Sequence, residues 1–192
     1  MAVSEAPKPS PQSPRLWPLS VQAYRTLGEV GLLPKNTELL YGQVFYKMSK
    51  SPVHSALVGR LLPLLQQVLP PGFVLRTEQP ITCEDYSEPE PDVAVIQGTE
   101  EDFWEEHPKA AELVIEVCAT SHDYDRSKLR AYADAGVKEV WLLLVPEKQA
   151  EVYLEPASGK FLKSKTYGPG GTLISTTVPH FSLDLDKFFQ KG

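Results

Sequence analysis

Leu113-Val114-Ile115-Glu116-Val117-Cys118 is an apolar, β-branched run that reads as a central strand, and Glu116 is the one acid inside it. An ionised carboxylate buried there loses several kcal/mol to desolvation unless a cation, a metal or a set of donors meets it. A second acid has a similar setting, because Asp92 opens the strand-like run Pro91-Asp92-Val93-Ala94-Val95-Ile96. Alternation puts Val114, Glu116 and Cys118 on one strand face and Leu113, Ile115 and Val117 on the other. Downstream, Leu129, Tyr132 and Ala133 form the apolar stripe of a helix expected from about Asp125 to Ala135. Lys128 borders that stripe, with a stem long enough to reach the end of the preceding strand. Two acids and a lysine at the edges of apolar elements make a candidate metal site.

Working outward, residues 1–16 carry Pro7, Pro9, Pro11 and Pro14 among Ser and Lys and are expected to form a flexible tail, leaving 17–192 as a single domain. Ser20 is placed to cap a first helix running to about Val30. Glu38 to Tyr46 reads as two short strands turning at Gly42, and Ser51-Pro52 starts a second helix with a stripe of Leu57, Leu61, Leu64, Leu65 and Val68. Pro63 is expected to kink or shorten that helix. Strands follow near Phe73–Thr77, Asp92–Ile96 and Leu113–Cys118, then the Asp125 helix and a strand at Val140–Val145. A hairpin of 150–154 with 161–166 and a short closing helix at 183–189 complete the chain.

The 192 residues are 42% hydrophobic and carry a net charge of −6, distributed unevenly. Residues 1–77 sum to +5, residues 78–116 to −12 and residues 117–192 to +1. The acidity therefore surrounds Asp92 and Glu116, which suits capture of a divalent cation and argues against a broad basic surface for a phosphate backbone. No apolar run approaches the roughly 18 residues that span a bilayer, so no membrane association and a cytoplasmic location are expected. Cys83 and Cys118 offer neither a disulfide framework nor a zinc motif.

At this point the residues resemble the PD-(D/E)XK nuclease superfamily and, within it, the Uma-type family of restriction-endonuclease-like bacterial proteins. Pro91-Asp92 matches the PD element, and Glu116-Val117-Cys118 falls at the (D/E)XK element 24 positions later. The wider resemblance takes in Glu38-Leu39-Leu40-Tyr41-Gly42, Ser51-Pro52-Val53-His54, Tyr124-Asp125 with Lys128, and Ala135-Gly136-Val137-Lys138-Glu139-Val140-Trp141. It implies a mixed α/β fold with a restriction-endonuclease-like core: a mixed central sheet flanked by helices, in the order α-β-β-β-α-β, plus N-terminal strands and a C-terminal hairpin.

The resemblance also implies a Mg²⁺-dependent endonuclease, with Mn²⁺ as a substitute ion, Asp92 and Glu116 as metal ligands, and nucleic acid, DNA first, as substrate. Members of such families often work as homodimers. Cys118 stands where the motif lysine belongs, and Lys128 fits a lysine migrated onto the next helix. Glu38 is a further catalytic candidate, the alternative being an exposed strand-end acid. His54 is a candidate phosphate donor at a helix N-terminus, the alternative being a capping or packing histidine. Asp125 is read as a helix N-cap rather than a ligand. Two other functions fit the residues: a nuclease-like homodimer without catalysis, and a hydrolase of a small phosphorylated molecule.

Overall fold

The computed structural model describes residues 16–120 and 122–191, so most of the proposed tail lies outside the described residues. Helix α1 (Val21–Glu29) is capped by the Ser20 hydroxyl, which accepts from the Ala23 N–H. Strands β1 (Thr37–Leu40) and β2 (Gln43–Tyr46) form an antiparallel hairpin. Its turn holds Tyr41 and Gly42, both at positive φ, and at Gly42 a Cβ would lie 2.5 Å from the Pro18 Cβ, so only glycine fits. Helix α2 (Pro52–Val68) follows, capped by Ser51. It is not shortened at Pro63. Pro63 and Gly59, the residue four positions earlier, both face solvent, where a carbonyl that loses its helical donor is hydrated.

The remaining strands are β3 (Phe73–Arg76), β4 (Val93–Gln97), β5 (Leu113–Cys118), β6 (Glu139–Leu144), β7 (Gln149–Ala157) and β8 (Lys160–Tyr167), and they form one six-stranded sheet in that order. All neighbours are antiparallel except β5 and β6, whose parallel pairing is bridged by helix α3 (His122–Asp134). Beyond the expected hairpin, β9 (Thr172–Ile174) pairs with β10 (Ser182–Asp184) before helix α4 (Leu185–Phe189). The segment read as a closing helix from 183 therefore begins as a strand, and Asp184 caps the helix through the Lys187 N–H.

Both faces of the sheet are covered, which is why β5 and β6 are buried along their whole length and, apart from Glu116 and Glu139, apolar instead of alternating. On one face α2 and α4 pack Leu57, Leu61, Leu65 and Phe188 against Val93, Leu113, Ile115 and Trp141. On the other, Ala131 and Tyr132 of α3 and Leu40 of the hairpin cover Ala94, Val114, Cys118 and Leu142. The result is a mixed central sheet between helical layers.

Glu139, fully buried at the start of β6, has no cation beside it among the described residues. Instead the Trp141 Nε1–H donates to Oε1 at 2.7 Å, while Ser175 Oγ (2.9 Å), Thr176 N (2.9 Å) and Thr177 N (3.2 Å) reach Oε2. This carboxylate fastens the 175–177 segment to the sheet. Glu139→Ala would leave several buried donors unpaired at about 1 kcal/mol or more each, so a loss of about 3 kcal/mol or more is expected in urea unfolding. A loss below about 1 kcal/mol would show that water replaces the carboxylate.

Candidate active site

The site grows from one register. β4 and β5 pair through Val93 and Ile115, which sets Asp92, just before β4, beside Glu116. The two acids brace each other through the backbone. The Asp92 N–H donates to Glu116 Oε2 at 3.2 Å, and the Val117 N–H donates to Asp92 Oδ2 at 2.7 Å. Asp92 Oδ1 meets His54 Nε2 at 3.0 Å, because Ser51-Pro52 starts α2 at this end of the sheet and His54 falls on its first turn. The His54 ring does not cap the helix: its Nε2 is directed at Asp92, and its buried Nδ1 has no hydrogen-bond partner among the described residues.

Helix α3 supplies the opposite wall. Tyr124, Lys128 and Tyr132 stand four residues apart and so share a face. Lys128 is 4% exposed, and so is not on the border of the apolar stripe but within the buried face. Its Nζ lies 3.2 Å from Glu116 Oε1, 3.4 Å from Glu38 Oε1 and 4.0 Å from Asp125 Oδ1. The Tyr132 hydroxyl donates to Glu116 Oε1 at 2.6 Å and the Tyr124 hydroxyl to Glu38 Oε1 at 2.7 Å. Glu38 is therefore a buried acid and not an exposed strand end, and its Oε2 accepts from the Glu90 N–H at 3.0 Å. Asp125 is not the N-cap, since α3 begins at His122 and places Asp125 inside the first turn, facing Lys128.

All five residues singled out in the sequence, Glu38, His54, Asp92, Glu116 and Lys128, line one cleft with a cavity of about 90 Å³. Asp125, Tyr124 and Tyr132 were missed as participants, although their helical spacing from Lys128 was a usable signal. Cys118 contributes no charge. Burial, followed by the nearby Asp125 and Glu116 carboxylates, pushes its thiol pKa up.

Glu38, Glu116 and Asp125 lie within 4.0 Å of the Lys128 ammonium and Asp92 stands beside Glu116, so this inner cluster holds more acids than its one lysine offsets. Burial acts against the charge of Lys128, but Glu116, Glu38 and Asp125 outweigh it and raise its pKa, so the ammonium persists. The excess falls on Glu116. Burial raises its carboxyl against the pull of Lys128, and the charges of Asp92 and Asp125 add to this, bringing its pKa to about 8. A carboxyl raised in the fold stabilises below its unfolded value near 4.5 and loses that contribution as pH climbs through about 8. Wild-type stability is therefore expected to fall across this window, by up to about 1.4 kcal/mol per pH unit, relative to Glu116→Gln. Parallel urea-unfolding curves for both proteins over the window would refute this ionisation.

Among the described residues, no three His, Cys, Asp or Glu side chains form a metal-holding group. The two-acid arrangement of Asp92 and Glu116 stands apart from such a cage. Nor is any helix in the described chain long and apolar enough to cross a membrane.

A family model described as "Uma2: Putative restriction endonuclease" matches residues 30–186. Among solved structures, a protein of Anabaena variabilis ATCC 29413, titled "a putative nuclease belonging to DUF820", superposes with a TM-score of 0.74 at 18% sequence identity. That match covers 90% of this chain and 98% of the other. No curated protein matches the chain.

Proposed function

We propose, on the premise that this chain belongs to the Uma2 family, that it is a Mg²⁺-dependent endonuclease hydrolysing phosphodiester bonds of nucleic acid, DNA in particular. The observation that carries the reading is the convergence of Asp92, Glu116, Glu38 and Lys128 from four separate elements on one cleft with surplus negative charge. A purely structural ion cluster has no need of that surplus.

The donor set fits Mg²⁺. This ion favours hard oxygen ligands and takes one or two carboxylates, leaving its other positions to water and phosphate. Asp92 and Glu116 would hold it, with the Val117 carbonyl as a third oxygen, since Val117 lies past the last β4–β5 pair. When bound, Mg²⁺ supplies Lewis-acid polarisation of the phosphate and acidification of water.

The other residues act through charge and position. Lys128, kept charged by three acids, offsets charge developing on the phosphate oxygens and orients the attacking water; it is not the base. Glu38 holds Lys128 in place and offers an acceptor for the proton of that water. His54 and the Val117 N–H fix the two oxygens of Asp92, so the carboxylate is oriented before substrate arrives.

The test is cleavage of labelled DNA and RNA by wild type and Glu116→Gln, with Mg²⁺ and with a chelator. Mg²⁺-dependent scission by wild type alone is expected. Equal scission by both proteins, or none by wild type on either substrate, overturns the proposal. Because the cleft is narrow and acidic, single strands, flaps and ends are expected to be cut faster than intact duplex, since a flexible strand enters without laying a whole backbone along the acidic surface. Faster cutting of long duplex than of matched single strands at equal salt would contradict that preference.

A further inference from the structure

The cleft carries charged residues beyond those already placed in its chemistry. Three lysines line it, and Lys128 is buried and saturated by carboxylates. The other two, Lys47 and Lys50, lie on the segment joining β2 to α2, at the mouth. Each is paired across the mouth with an acid of the opposite wall: Lys47 Nζ with Glu90 Oε2 at 2.6 Å, and Lys50 with Glu78.

Those acids are fixed next to the reacting centre. Glu90 is two residues before Asp92 in sequence, and its own N–H is bonded to Glu38. Glu78 adopts a positive φ of 54°, held by bonds from its N–H to the Pro91 and Asp92 carbonyls at 3.1 and 3.3 Å. Lys50 immediately precedes Ser51, whose hydroxyl caps α2.

We infer that Lys47 and Lys50 are the phosphate-binding residues of this site, and that Glu90 and Glu78 occupy them as carboxylate stand-ins which the strand entering the cleft displaces. The inference rests on the endonuclease reading and adds how the substrate is held. Both pairs are partly exposed, and such pairs are weak, so a phosphate chain bearing a charge per nucleotide can compete for the ammonium groups. Exchange of carboxylate for phosphate also accounts for how an acidic cleft accepts an anionic chain. The two lysines change partners without leaving the mouth, and the freed acids turn to solvent.

The experiment is fluorescence anisotropy of a labelled, cleavage-resistant single-stranded phosphorothioate oligonucleotide in Mg²⁺ buffer across a salt series. Lys47→Ala/Lys50→Ala should bind more weakly, with a log–log salt slope shallower by about 1.4, because two phosphate contacts are lost on a single strand. Glu78→Gln should tighten binding by up to about fivefold, the worth of releasing one exposed pair. In the Lys50→Ala background Glu78→Gln should change nothing, whereas Glu105→Gln, which removes an exposed acid outside the cleft, should have little effect in either background.

An unchanged affinity and slope in the double lysine variant would overturn the inference. So would a gain from Glu78→Gln that persists without Lys50, or that Glu105→Gln matches. These failures are separable from failure of the endonuclease reading, because wild type would still bind and cut. A wild type that neither binds nor cuts any strand brings down both.

Discussion

Lys128→Met is expected to abolish cleavage and to lower stability by about 3–5 kcal/mol, the range for removing one partner of a buried ion pair. Methionine fills much of the space of the lysine stem, so the loss comes from charge. Without the ammonium, Glu38 and Glu116, both almost fully buried, and Asp125 beside them lose the cation that offsets them. A freely placed helix-surface lysine would be dispensable to the fold; this one is not. Adding Glu116→Gln removes one of the acids left without a cation and should recover part of the stability but none of the activity, which separates the structural from the catalytic share. Urea unfolding and a cleavage assay on the single and double variants measure the two. Wild-type turnover in Lys128→Met would end the case for a migrated lysine. Cys118→Ala should cleave at nearly the wild-type rate, since that thiol is buried and its pKa is pushed up.

Asp92→Asn should lose both Mn²⁺ binding and cleavage while remaining folded. Groups that merely support a metal ligand are worth about 10–100-fold in affinity, so removing the charge of the ligand itself is expected to cost at least as much. The fold should lose about 1–3 kcal/mol, because an amide presents one acceptor where the carboxylate accepts from both the Val117 N–H and His54 Nε2. Relief of repulsion with Glu116 offsets part of that loss. Calorimetric titration with Mn²⁺ decides the matter: equal affinity in wild type and Asp92→Asn would mean that the two acids form a structural cluster and not a metal site.

The strands and helices were legible because their signals are local. Apolar β-branched runs identified β4, β5 and β6, and serines before the first apolar turns located the starts of α1 and α2. The errors also have local causes. Asp125 resembles a cap, but α3 starts three residues earlier at His122. Pro63 resembles a helix breaker, yet it is tolerated on the solvent side of α2, one turn after the equally exposed Gly59. The bond of Glu139 to the 175–177 segment escaped notice because its donors there lie 36 to 38 residues away in sequence and no periodic pattern connects them.

What the sequence determined by itself was the succession of strands and helices around Glu116 and the identity of the charged groups. A lone acid in a buried strand and a second acid at the head of another leave few physically acceptable arrangements. The tertiary structure decided which groups meet. Glu38 reaches Tyr124 across 86 residues of chain only because the β1–β2 hairpin folds over α3, and His54 reaches Asp92 only because α2 begins at that end of the sheet. The crossing of Lys47 and Lys50 to Glu90 and Glu78 was equally invisible in sequence. Charge interactions fall off with distance and strengthen with burial, and both quantities are set by how elements pack rather than by the spacing of residues along the chain.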